Sequence, residues 1–202
     1  MQGPAAHDNI YAMKKEITIK ELNTESFIEE KVDMIRNAVG QGTAINALSG
    51  GVDSSVVTML GHKALGKNLR TVFIENGLMR SGEPERVKML FRDLGVDVEV
   101  IDARKEFLSA LEGITDPEEK REAVTQTFYK EVFGRIVRES GAKHLLQGTI
   151  LTDVDETVAG IKRQHNVFEQ LGIDPQEAFG YQILEPLIQL RKDGVRKVGK
   201  AS

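Results

Sequence analysis

A chain of 202 residues, 40% hydrophobic and 29% charged, is long enough for one α/β domain with its own core and has an ordinary soluble composition. The absence of cysteine excludes disulfides, cysteine–zinc sites, a cysteine nucleophile and a persulfide carrier. A net charge of −4 leaves no general basic field for nucleic acid; no apolar run reaches the ~20 residues of a membrane span, no signal peptide is visible, and a cytoplasmic location is expected.

Residues 1–12 differ in character from the rest of the chain and read as an expression leader, with Met13 as a natural start; His7 therefore carries no functional weight. Phe27, Ile28, Val32, Ile35 and Val39 recur at helical spacing, closed by Gly40. Ala44 to Leu48 is a strand. Ser49-Gly50-Gly51-Val52-Asp53-Ser54-Ser55 comes next and opens a helix from about Ser54 to Leu65. Strand, glycine turn and helix place backbone N–H groups and a helix N-terminus around one point, which makes an anion site. Gly50 and Gly51 let a phosphate approach the backbone, and the three serines add hydroxyl donors. Asp53 fits a phosphate site if a magnesium ion bridges carboxylate and phosphates. A serine-capped turn is the plain alternative. The loop is neither G-x-x-x-x-G-K-[ST] nor G-x-G-x-x-G.

Further on, Leu69–Ile74 reads as a second strand, Glu83–Leu94 as a helix, Val96–Ile101 as a third strand and Phe107–Leu111 as a short helix. Asp116-Pro117-Glu118-Glu119 has the acid and proline that helix starts prefer, and the helix runs through Phe128, Val132, Phe133 and Ile136 to about Ser140. That apolar stripe is core. Lys143–Gln147 is a fourth strand. From Asp153 to Gly180 periodicity fades over an unusual length, as expected of a mobile lid. Ile183–Leu187 resumes as a strand or extended piece, and a helix begins near Arg191. Strands alternating with helices predict an α/β fold: an open twisted parallel sheet with helices on both faces. The glycine loop, Glu75-Asn76-Gly77 and Gly148-Thr149 each follow a strand, so all three belong on the ligand-binding edge.

Ser-Gly-Gly-Val-Asp-Ser-Ser resembles the pyrophosphate loop of the N-type ATP pyrophosphatases, whose fold is Rossmann-like and of the adenine nucleotide alpha-hydrolase type. Over residues 27–198 the chain is similar to the ATP pyrophosphatase domain of the GMP synthetase family. Phe73–Glu83 resembles V-D-N-G-L-[LM]-R-x-G-E, and Phe107–Arg121 resembles F-L-x-A-L-x-G-[IV]-x-D-P-E-x-K-R. Leu146–Thr149 with Asp153, Ile161-Lys162 with His165-Asn166, and Leu184–Leu187 with Lys192-Asp193 match three further family motifs.

The resemblance implies a carbon–nitrogen ligase that uses ATP and Mg2+. The acceptor, XMP or a related compound, is adenylated with release of pyrophosphate and then aminated by ammonia, for which a separate glutaminase subunit is one source. It implies nucleotide contacts at Leu48, Ser49, Gly50, Gly51, Asp53, Ser54, Ser55, Ile74, Gly148 and Thr149, and metal ligation by Asp53 and Asp153. Asp53 and Lys162 are the expected catalytic residues, Lys162 reaching pyrophosphate or else lying on the surface. Arg121 holds the acceptor phosphate or pairs along its own helix, and His165 orients the lid or is a plain loop residue. The family's C-terminal dimerisation domain, present in the full-length homodimer, is expected to be missing here.

Departures at Glu75, Glu122, Leu151–Thr157, Gln164, Ile188 and Gly194 fall in segments expected to face the acceptor. Another ATP pyrophosphatase, for tRNA thiolation or sulfur insertion, and a non-catalytic ATP-binding module are the alternatives.

Overall fold

The computed structural model describes residues 15–158 and 181–202. Its centre is a five-stranded, wholly parallel sheet: β1 (Ala44–Ala47), β2 (Leu69–Glu75), β3 (Val98–Asp102), β4 (His144–Leu146) and β5 (Gln182–Leu184). The spatial order is β3-β2-β1-β4-β5. The chain builds outward from β1 to β3, then returns to the other side of β1 for β4 and β5. The order therefore reverses between β1 and β4, the place where open parallel sheets bind their ligands.

Helices cover both faces. On one lie α1 (Thr24–Val39), α2 (Val52–Leu65), α3 (Glu83–Asp93) and α8 (Lys192–Ala201). On the other lie α4 (Arg104–Leu111), α5 (Pro117–Gln126) and α6 (Gly134–Ser140). α7 (Leu151–Val158) follows β4. Strand alternation feeds the two layers: in β2, Phe73 faces the α3 side, while Val72 and Ile74 face Phe107, Phe133 and Ile136. Ile35, Leu60, Leu187 and Val195 close the layer under α1, α2 and α8. Among the described residues no helix is long and apolar enough to cross a membrane.

Three polar side chains interrupt the layer beneath α2. Asn46 of β1, Thr71 of β2 and Thr58 of α2 are all buried, and Asn46 and Thr71 stand opposite each other in the strand register. Thr71 Oγ1 donates to Asn46 Oδ1 (2.9 Å), and Asn46 Nδ2 donates to Thr58 Oγ1 (2.6 Å). Thr58 Oγ1 in turn donates to the carbonyl of Ser54 (2.8 Å).

Several predicted boundaries shift. β3 starts two residues later, because Val96 N–H is taken by Phe91 O in the turn that ends α3. The helix predicted from Asp116 to Ser140 is continuous, but Thr127–Phe133 winds as a π-helix, which keeps Phe128 stacked on Phe133 at 5.7 Å. The expected extended piece after Leu184 is a turn at Pro186–Gln189. The predicted lid begins as ordered helix: Asp153 to Val158 belong to α7, and the remainder, with Lys162 and His165, lies outside the described residues.

Asp116 caps α5 as its sequence position predicts, one oxygen accepting from the N–H groups of Glu118 (2.8 Å) and Glu119 (3.0 Å). Asp116→Ala is expected to lower the unfolding free energy by about 1 kcal/mol. An unchanged urea midpoint would show that the cap contributes nothing.

Candidate functional site

The glycine loop leaves a fixed strand end, since Leu48 N–H still donates to Val72 O (2.8 Å). Gly50 then turns the chain at φ 75°, a conformation a side chain rarely adopts. Gly51 is the N-cap of α2, and no side chain caps that helix. The N–H groups of Val52, Asp53 and Ser54 thus have no intrahelical acceptor and stand at the positive end of the helix dipole.

The serines shape the loop. Ser54 Oγ and Ser55 Oγ donate to the carbonyl of Gly51 (3.0 and 2.7 Å). Ser49 N–H donates to Ser54 Oγ (3.2 Å), and the two hydroxyl oxygens are 3.0 Å apart. With the Ser54 proton committed to Gly51, the Ser49 hydroxyl is the donor of that pair. In the structure these hydroxyls hold the turn that presents the amides.

Asp53, in the first turn of α2, is one-quarter exposed. Its Oδ2 accepts from Lys192 Nζ at 2.6 Å, while Oδ1 is buried and has no hydrogen-bond partner among the described residues. A buried carboxylate oxygen without a donor suits a hard cation, while the amides beside it suit the anion such a cation would bridge. Among the described residues no three carboxylates or histidines cluster. Magnesium fits such a site, because it binds through one or two carboxylates and completes its shell with phosphate oxygens and water.

The loop after β4 forms the opposite wall. Gln147 Nε2 donates to the buried Thr149 hydroxyl (3.1 Å). Gly148 presses on the start of α2 so closely that a Cβ there would lie 3.2 Å from both Asp53 C and Ser54 N. Asp153 Oδ2 accepts from Ile150 N–H (3.1 Å), which turns that carboxylate toward the start of α7.

Lys192 arrives from a braced turn. Its neighbour Arg191 is held by Glu16 and Asp155, both at 2.9 Å, and these carboxylates raise the guanidinium pKa further. Lys192 was missing from the predicted site. Its local signal is the Lys192-Asp193 motif match, and nothing in the spacing ties it to Asp53, 139 residues away. The ion pair is part-exposed, so Lys192→Met is expected to reduce stability by less than ~1 kcal/mol, measured as a thermal shift. A larger loss would make the pair a strut for α8.

The remaining predicted residues are spread out. Ile74 is buried near the end of β2, its neighbour Glu75 accepting from Gly77 N–H through Oε1 (2.7 Å). Beyond it Arg104 holds the Asp102 carboxyl down to about 2. Arg121 is exposed on α5 and paired with Glu118 one turn earlier, as the helix-pairing alternative has it. Two supposed acceptor-side departures are core positions: Ile188 is 4% exposed, and Gly194 lies against Leu190 and Leu22. A charged side chain at either would have to displace packed apolar atoms.

The NAD synthase family model matches residues 23–135. The chain is 47% identical over 179 residues to a subunit of the glutamine-hydrolyzing GMP synthase of Archaeoglobus fulgidus, covering 89% of this chain and 57% of that protein. With the corresponding subunit of Pyrococcus abyssi it shares 48% over 180 residues, 89% of this chain and 56% of the relative. It thus spans little more than half the length of these curated relatives. In fold it is similar to the NH3-dependent NAD synthetase of Campylobacter jejuni (TM-score 0.66, 17% identity, 89% of this chain and 73% of that one). It is similar also to a U34-tRNA thiolase of Methanococcus maripaludis (TM-score 0.61, 17% identity, 87% and 64%). With the family match over more than half its length and the glycine loop at the sheet's switch point, the chain belongs to the NAD synthase family of PP-loop ATP pyrophosphatases.

Proposed function

We propose that this chain is the ATP pyrophosphatase part of a GMP-synthase-type ligase. It binds ATP at the Ser49–Ser55 loop and transfers AMP to the C2 oxygen of XMP. The bond between the α- and β-phosphates breaks, pyrophosphate leaves, and ammonia then adds at C2 and expels AMP. The observation that carries this reading is the buried, unpartnered Oδ1 of Asp53 beside the uncapped start of α2. The near-half identity to two subunits that bear the GMP synthase name supports the acceptor. Those names also support ammonia delivery by a separate glutamine-hydrolysing partner.

Each group has a task in that chemistry. The free amides of Val52, Asp53 and Ser54 would hold the oxygens of the departing pyrophosphate, where charge develops. Gly50, at φ 75°, makes the turn that leads into those amides. Lys192 lies within reach of the same anion once Asp53 engages a cation. Magnesium, when bound at Asp53 Oδ1, supplies charge neutralisation on the leaving group. Asp153 as a further metal ligand, Lys162 as a pyrophosphate ligand and Arg121 as an acceptor-phosphate ligand complete the proposed set. No protein nucleophile is needed, which suits a chain without cysteine.

The test is isotope exchange between pyrophosphate and ATP in the presence of magnesium. Exchange that depends on XMP is expected. Exchange that is indifferent to XMP but responds to another acceptor would overturn the acceptor. No detectable ATP binding by calorimetry would overturn the nucleotide site itself.

A further inference from the structure

The buried Thr71–Asn46–Thr58 relay lies under the loop and touches neither phosphate nor acceptor in the proposed chemistry. Its proton directions are fixed. The single hydroxyl proton of Thr58 goes to the Ser54 carbonyl at 2.8 Å, so its oxygen must accept from Asn46. The Asn46 amide is thereby oriented with its nitrogen toward Thr58, leaving its oxygen to accept from Thr71 at 2.9 Å. The relay begins on the second strand, crosses the first and ends on the carbonyl of Ser54 in the first turn of α2.

Packing alone does not call for this arrangement. Asn46 is 1% exposed, Thr58 0% and Thr71 2%, and the surrounding layer is apolar. Three apolar side chains of similar volume would fill the space without burying an amide and two hydroxyls, and such exchanges are often neutral for stability. What they could not supply is a second bond to the Ser54 carbonyl, beside the helical one from the backbone N–H of Thr58, that is tied through Asn46 to the sheet. That residue is the hub of the loop: its hydroxyl joins the Ser49 amide, the Ser49 hydroxyl and the Gly51 carbonyl. A hydroxyl bonded back one turn also adjusts the pitch of a helix start. The carbonyl of Ser54 is therefore fixed from below by the sheet, and its hydroxyl organises the turn above.

We propose that Thr58, oriented by Asn46 and Thr71, is a positioning residue that sets the first turn of α2 and so aims the loop amides at the ATP phosphates. The proposal rests on the ATP-binding reading of the loop. It acts through Ser54 and requires no contact between Thr58 and nucleotide.

The test compares Thr58→Val, which keeps the volume and removes the hydroxyl, with Thr58→Ser, which keeps the hydroxyl and loses the methyl. Two quantities are measured on the whole chain: ATP–magnesium affinity by calorimetry, and amide hydrogen exchange of residues 49–55 without nucleotide. Thr58→Val is expected to weaken ATP binding about tenfold and to speed exchange in the loop, the size of one lost directed bond in affinity terms. Thr58→Ser should stay within about twofold on both, although its lost methyl costs stability as well. Thr71→Val, at the far end of the relay, should show the same pair of changes in weaker form; it carries the test if Thr58→Val does not fold. Affinity and exchange equal to the parent in Thr58→Val would overturn the proposal. So would losses in both Thr58 variants that merely follow their thermal midpoints. If the parent chain binds no ATP, the nucleotide reading fails by itself, and the exchange comparison still decides whether the relay sets the loop.

Discussion

Asp53→Ala is expected to weaken magnesium-dependent ATP binding by at least tenfold, about 1.4 kcal/mol, and to slow acceptor adenylation by about 10²–10³. The two oxygens of its carboxylate are unlike. Oδ2 is matched by Lys192, and Oδ1 is buried with no donor among the described residues. Removing the side chain deletes the unpartnered oxygen assigned to the metal and frees the Lys192 ammonium beside the phosphate site. The two consequences have opposite signs. Affinity for ATP with magnesium falls, while affinity for metal-free ATP holds or rises, because an opposed cation has become an unopposed one. The advantage of the metal complex over free ATP should therefore collapse. Calorimetric titrations with and without magnesium read this directly. An Asp53→Ala chain that keeps the parent's preference for the metal complex would falsify the assignment of Asp53 as a ligand.

Gly148→Val should do comparable damage by a steric route. A Cβ at this position meets the backbone of Asp53 and Ser54 at 3.2 Å, and backbone of a helix start cannot swing aside as a side-chain tip can. The two γ-carbons of valine add to that contact. Either the β4 loop withdraws or α2 shifts, at a cost of about 1–3 kcal/mol. Both movements widen the wall between Gly148 and Asp53, so ATP affinity is expected to fall along with the urea midpoint. A variant that is destabilised yet binds ATP like the parent would show that this wall does not shape the site. Affinity lost at full stability would point the other way, to direct obstruction of the ligand.

The parts of the fold written in short periods were legible in the chain. Alternating strands and helices predicted a parallel sheet, and a glycine pair after an apolar run predicted the loop. Strand order was not legible, because no local pattern says that β4 returns to the far side of β1. The same is true of Lys192: a lysine opening a basic amphipathic helix looks like a solvated surface residue until the fold brings it to Asp53. Asn46 is hidden differently. In Ala-Ile-Asn-Ala, a polar residue within a strand reads as the solvent side of an alternating pattern, whereas both faces of this sheet are covered. The π-helix at Thr127–Phe133 keeps the apolar spacing of an ordinary helix within its scatter, so its boundaries were invisible. Ile188 and Gly194 illustrate the opposite limit: their departure from a motif drew attention to chemistry, and their burial gives them a packing role.

The bond between Asp53 and Lys192 also has a consequence for synthesis. Its partners are 139 residues apart, so a ribosome completes the glycine loop long before it makes the ammonium that faces it. At 5–20 residues per second the delay is on the order of 10 s. During that interval a nascent chain carries a recognisable phosphate loop with an unopposed carboxylate, and it should repel free nucleotide. Binding of metal-free nucleotide would then switch on only when α8 docks, and nucleotide at about 100 times its dissociation constant would hold the docked state by about 2.7 kcal/mol. ATP capture by stalled chains of increasing length would time the closing of the fold.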